Sequence, residues 1–170
     1  MAADKKRGTQ TVRDMVLSLA VIVLAAGVIY LFIPHDADQN PVKTVNYQVE
    51  LSTARRAAPY PIVAPQGLPK GWRATSVTYD ATSDKGGAAW HLGFLTGKDQ
   101  YAAVEQSDAR PLPYVEQVTQ GAHKTDESRT IDGDNWVTWH GDKYDALVRR
   151  DDGWTTVVTG TAPVDKLAEL

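Results

Sequence analysis

Between Met15 and Ile33 the chain reads MVLSLAVIVLAAGVIYLFI, nineteen residues of which only Ser18 and Gly27 fall outside the apolar set. As a helix this run is roughly 28 Å long, close to the roughly 30 Å of hydrocarbon in a bilayer. A helix buried in a soluble core keeps one polar stripe, and this run has none. It therefore reads as a transmembrane span. Lys5, Lys6, Arg7 and Arg13 precede it, while His35, Asp36 and Asp38 follow. That excess of cations before the span predicts a cytoplasmic N-terminus and a C-terminal part outside the cell membrane. Tyr30 and Phe32 suit either an interfacial anchor or plain apolar filling.

A cleaved signal peptide is the competing reading. Its apolar core is ordinarily about 7–15 residues long and ends at a small-x-small site. Here the core is longer, and the best site, after Ala37, places His35 where a small residue is needed. The chain has no cysteine. A lipoprotein anchor, disulfides, thiolate metal sites and cysteine catalysis are thereby excluded.

The span divides the chain into a tail at 1–14, the helix at 15–33, a polar linker at 34–41 bounded by Pro34 and Pro41, and a domain at 42–170. The tail is too short to fold, and its cations suit anionic lipid head groups. Residues 34–170 carry 14 Lys and Arg against 19 Asp and Glu, a net of -5. That balance excludes a basic nucleic-acid binder and holds the domain weakly off an anionic surface. A domain of this size buries roughly two-thirds of its unfolded surface, enough for one core without disulfides.

Within the domain, Val45, Tyr47, Val49 and Leu51 alternate with polar residues, predicting a half-buried strand. Ser52 or Thr53 then caps a short helix through Arg55 and Arg56, which Pro59 ends. Tyr60–Gly71 (YPIVAPQGLPKG) contains Pro61, Pro65 and Pro69, which lack backbone donors, so it crosses the domain or borders the sheet. Trp72–Tyr79, Ala88–Leu95 and Tyr101–Ser107 read as strands, the last two joined by a hairpin loop at Thr96–Asp99. Trp90, Leu92 and Phe94 share one strand face and should be core, which turns His91 away from it. Pro113–Gln120 reads as a short helix stopped by Gly121.

The last third is the most regular. Ser128–Ile131, Asn135–His140, Lys143–Arg149 and Trp154–Thr159 are separated by Asp132-Gly133, Gly141-Asp142 and Asp151-Asp152-Gly153, turn sequences that supply positive φ angles. An antiparallel meander follows. Val164, Leu167 and Ala168 lie on one face of a final helix. The expected fold is α+β: about six or seven antiparallel strands, including a C-terminal four-strand meander, with short helices packed on one face.

The segments GLPKGWRATS (Gly67–Ser76), WHLGFLTG (Trp90–Gly97), YAAVEQS (Tyr101–Ser107) and VVTGTA (Val157–Ala162) stand in an order that resembles actinobacterial single-span membrane proteins carrying domain of unknown function 4245. The resemblance runs from the span to the C-terminus. It implies a bacterial envelope protein with an outward domain, and it brings no activity and no site residues with it.

Chemistry is sparse. His35, His91, His123 and His140 show no metal-ligand spacing, and HExxH, G-x-S-x-G, S-x-x-K and P-loop patterns are all missing. Ser76 and Ser107 stand on strands as isolated hydroxyls. Glu105 with Asp108, and Asp142 with Asp145, are carboxylate pairs by arithmetic alone. No metal or cofactor is called for. All five tryptophans fall in the domain. Trp136 and Trp139, three apart, take opposite faces of one strand, so one of them faces away from the core unless a helix or loop covers it.

Two functions fit this pattern. The first is a membrane-tethered binding or scaffold module of the cell envelope, meeting the bilayer through residues 15–33 and recognising a protein, lipid or glycan. Its candidate ligand contacts are Trp72, Arg73, Gln66 and Trp139, with the proline-rich segment either lining a groove or simply covering the core. The second is an envelope hydrolase using an acid pair or a serine. An enzyme calls for a concave pocket with convergent titratable groups, and a binding module for an apolar patch or groove. A third, a sensor acting through the helix on a membrane partner, rests on the anchor alone.

Overall fold

The computed structural model describes residues 7–32, 42–84 and 86–170, in two compact units that meet in sequence at Pro41 and Val42. In the first unit, α1 runs from Arg7 to Phe32. Its Val12–Tyr30 stretch has a mean hydropathy of 2.2 and no residue buried within the chain. It is long and apolar enough to cross a membrane. The helix starts at Arg7 rather than near Met15, because no proline interrupts its hydrogen-bond run. The linker at 34–41, with His35, lies outside the described residues, as does the tail before Arg7.

The second unit is α+β, as expected, with its helices on both sheet faces rather than on one. Its seven strands are β1 (Arg73–Asp80), β2 (Ala89–Leu95), β3 (Tyr101–Ser107), β4 (His123–Ile131), β5 (Asp134–His140), β6 (Asp145–Arg150) and β7 (Thr155–Gly160). They form one antiparallel sheet in the order β1-β2-β3-β7-β6-β5-β4. Two meanders, β1 to β3 and β4 to β7, thus join where β3 pairs with β7. Three further helices, α2 (Gln48–Ala57), α3 (Pro111–Thr119) and α4 (Val164–Leu167), complete the domain. Leu51 and Ala54 of α2 cover Trp90, Leu92 and Phe94, and Leu167 of α4 covers Val104, Leu147 and Val158 on that same face. On the opposite face Tyr114 and Val115 of α3 pack on Trp139, Val148 and Val157.

The strand expected at Val45–Leu51 is instead an approach segment followed by helix. Two periodicities compete there. The alternation puts Val49 inside, whereas Tyr47, Leu51, Ala54 and Ala58 repeat every three to four residues. The helical set wins, since all four join the core cluster while Val49 is 73% exposed. Asn46 marks the start, its Oδ1 accepting the Gln48 N–H at 3.1 Å. Ser52 lies inside the helix and donates back to the Val49 carbonyl at 2.8 Å, so it caps nothing.

The turn at Asp132-Gly133 behaves as its sequence demands, with φ of 51° and 88° in the two-residue connection of β4 to β5. Gly160 answers a different need. It faces Ala102 across β3 and β7, and a Cβ there would overlap the Tyr101 carbonyl oxygen and lie 2.8 Å from Ala102 Cα. Because backbone must yield, Gly160→Ala should sit at the upper end of the roughly 1–3 kcal/mol that overpacking costs. Tryptophan fluorescence of the full chain in detergent micelles should show the melting midpoint falling by about 10 °C. An unchanged midpoint would mean that the central pair is looser than its register implies.

Candidate functional site

Gln106 organises the sheet face that α2 and α4 cover. Fully buried on β3, it accepts the Val63 N–H on Oε1 at 2.9 Å and donates from Nε2 to the Pro61 carbonyl at 3.2 Å. Trp90 donates its indole N–H to the Val63 carbonyl at 3.0 Å. The Tyr60 hydroxyl lies 3.0 Å from the Gln106 carbonyl and 3.1 Å from that of Ala88. The proline-rich segment thus receives from side chains the partners that its prolines deny it in a ladder. It lies over the core as a cover.

The cover stops short of α4, and a groove of about 400 Å³ opens between them. Val104, Leu147 and Val158 make its floor, with Val63–Gln66 on one side and Leu167–Leu170 on the other. Ile131 and Trp136 close the far end, beneath a rim of Asp132, Asp134 and Arg149. The Arg149 guanidinium sits 5.2 Å from the centre of the Trp136 ring. It donates to Asp151 at 3.1 Å and to Asp134, so its charge is neutralised by two carboxylates. The groove is thus apolar along its floor and polar along its margins, where Gln66, Asp132, Asp134, Arg149 and Glu169 stand.

The opposite face carries a row of polar side chains across β1, β2 and β3. His91 Nε2 is 2.7 Å from Ser76 Oγ, and His91 Nδ1 is 2.6 Å from Glu105 Oε1. His91 and Glu105 are direct cross-strand partners. Ser76 comes level with them because Gly93, its partner across β1 and β2, has no side chain: a Cβ there would overlap Ser76 Oγ and lie 3.2 Å from His91 Nε2. Burial raises the Tyr101 phenol well above its ordinary value, with the charge of Glu105 adding to the rise.

Of the four residues expected to contact ligand, only Gln66 lines this groove. Trp72 is half-buried and packs against the two core clusters of that sheet face. Arg73 is held at the sheet edge, 2.6 Å from the Val42 carbonyl and 3.5 Å from Asp99. Trp139 is 4% exposed beneath α3, and Trp136, on the other face, is the tryptophan that reaches the groove. Among the other pairs, His140 Nδ1 lies 2.9 Å from Asp145 Oδ1 on the surface, and Ser107 donates to the Ala88 carbonyl at 2.7 Å.

A helix apt for a membrane, followed by a seven-stranded antiparallel α+β domain, defines a protein with one candidate anchor and one globular module. The chain belongs to the family described as Protein of unknown function (DUF4245), whose sequence profile matches residues 7–170. No curated protein and no solved structure matches it.

Proposed function

We propose that the chain is a single-pass, signal-anchored binding module of the bacterial cell envelope, its C-terminal domain outside, and that its groove holds the hydrocarbon chain of a membrane amphiphile. The groove carries this reading. Its floor of Val104, Leu147 and Val158 is apolar, the Thr156 hydroxyl beside it already accepts from Gln106 and Arg149 is already paired with two carboxylates, and about 400 Å³ admits a chain rather than a protein surface. Asp132 and Asp134 on the rim, with a net charge of -3 on the domain at 42–170, disfavour an anionic head group. The cations before the span support the orientation.

The test uses the full chain in phosphatidylcholine liposomes containing a diacylglycerol with a photoactivatable diazirine in one acyl chain. Crosslinks are expected at Ile131, Leu147, Val158 and Leu167. Ala168→Trp places an indole in the groove from a partly exposed position and should lower those crosslinks at least tenfold with the melting midpoint unchanged. Crosslinks confined to α1, or equal yields from the variant, would remove the groove as the ligand seat. Protease added to intact, wall-stripped cells checks the orientation, by removing the domain.

A further inference from the structure

Ser76, His91 and Glu105 form a continuous relay on three adjacent strands, on the sheet face opposite the groove. A carboxylate accepts hydrogen bonds and never donates, so Glu105 Oε1, 2.6 Å away, fixes the ring proton on His91 Nδ1. In the neutral imidazole Nε2 then presents a lone pair, to which the Ser76 hydroxyl 2.7 Å away donates. That is the arrangement in which an imidazole draws a proton from a serine oxygen: nucleophile to base, base to orienting acid, each within hydrogen-bond reach. The Glu105 side chain is 10% exposed and that of His91 25%, and Ser76 is half-buried on the edge strand β1.

We infer that Ser76 is a nucleophile for acyl transfer from an uncharged carboxylic ester, with His91 as its base and Glu105 as the positioning residue. Ser76 Oγ bonds to the ester carbonyl carbon while its proton passes to His91 Nε2. The carbonyl–alkoxide bond then breaks, and the alkoxide leaves with that proton as an alcohol. Water attacks the acyl-serine, giving its proton to His91, which returns it to Ser76 Oγ as the acid departs. Ester and water become acid and alcohol, with no change of oxidation state. An uncharged ester suits a domain of net charge -3. This site stands independently of the lipid groove, which lies on the other face.

The probe is an alkyl fluorophosphonate, applied to the full chain in detergent micelles and mapped by mass spectrometry. Ser76 should be modified at least tenfold faster than the exposed Ser128, and His91→Ala should slow its modification at least a hundredfold. Hydrolysis of p-nitrophenyl butyrate should be lost in Ser76→Ala, a change small enough to leave the fold intact by tryptophan fluorescence. Glu105→Gln keeps an acceptor in place without the charge, and should lower kcat about tenfold with KM unchanged, a split that a merely structural role would not produce. Modification of Ser76 no faster than Ser128, or an unaltered ester turnover in Ser76→Ala, would overturn the assignment.

Discussion

Replacing Trp90 by alanine should cost the folded domain about 3–5 kcal/mol, the usual range for deleting a buried aromatic. A domain's whole stability is about 5–15 kcal/mol, so the variant should be near unfolding at ambient temperature. Trp90 is the largest of the fully buried side chains. It packs among Leu51 and Ala54 of α2 and Tyr60 and Ile62 of the covering segment. Its loss therefore loosens two coverings of one sheet face together. The indole also donates to the Val63 carbonyl, and a carbonyl left unpaired beneath the cover adds to the penalty. Trp90→Phe separates the two effects, since it restores most of the volume and none of the hydrogen bond. The expected order of stability is wild type, then Trp90→Phe, then Trp90→Ala, read by denaturant titration of the full chain in micelles. The four remaining tryptophans, all in the domain, report its unfolding alone. Equal stability of the two variants would show that packing contributes little here.

The same residues show how far a sequence discloses this fold. Strand faces with one apolar side were legible, so Trp90, Leu92 and Phe94 are core as their alternation requires. The Asp132-Gly133 hairpin was legible too, because two positive φ angles in succession demand such residues. At Tyr47–Leu51 the pattern fitted both a strand and a helix, and only Ala54 and Ala58 downstream decided between them. Strand β4 was legible only from Ser128 onward, since HKTDE before it carries no apolar alternation. That suits an edge strand, where charge discourages pairing with other chains, and its register breaks between Lys124 and Ser128.

The sites were less legible, for a geometric reason. The groove lies between Val63–Gln66 of the cover and α4 beyond β7, a juxtaposition of distant segments that no local pattern encodes. Gln66 was within reach through its prolines, whereas Trp136 and Trp139 were symmetric until the sheet had a covered side. The relay was closer to hand. A hairpin closing at Leu95 and Tyr101 sets His91 opposite Glu105 by counting back from the turn. Ser76 was beyond such counting, because the register of β1 against β2 shifts between Ala74 and Ser76.

Alkaline pH should unfold the domain steeply, and the cause lies in its buried tyrosines. Tyr60 and Tyr114 are 5% and 1% exposed, and burial raises both phenols well above their ordinary value near 10. The charge of Asp108 adds to the rise at Tyr60, and that of Glu105 at Tyr114. A raised folded-state value means that both states keep the proton below about pH 10, where the stability is fully present. Above it the unfolded chain releases protons that the folded one still holds, and stability falls. Each such tyrosine lowers the folding equilibrium about tenfold per pH unit, so these two together take away about a hundredfold, or about 3 kcal/mol, per unit. Tyr101, raised by the same burial, steepens the fall. Denaturant titrations of the full chain in micelles should give a flat stability up to about pH 9 and a steep decline from pH 10 to 12. Tyr114→Phe removes one titrating group and should make that decline shallower by about one proton. A stability that stays level through pH 11 would mean that water reaches these phenols, and would place Tyr60 and Tyr114 nearer the surface than the packing of α3 and the proline-rich cover requires.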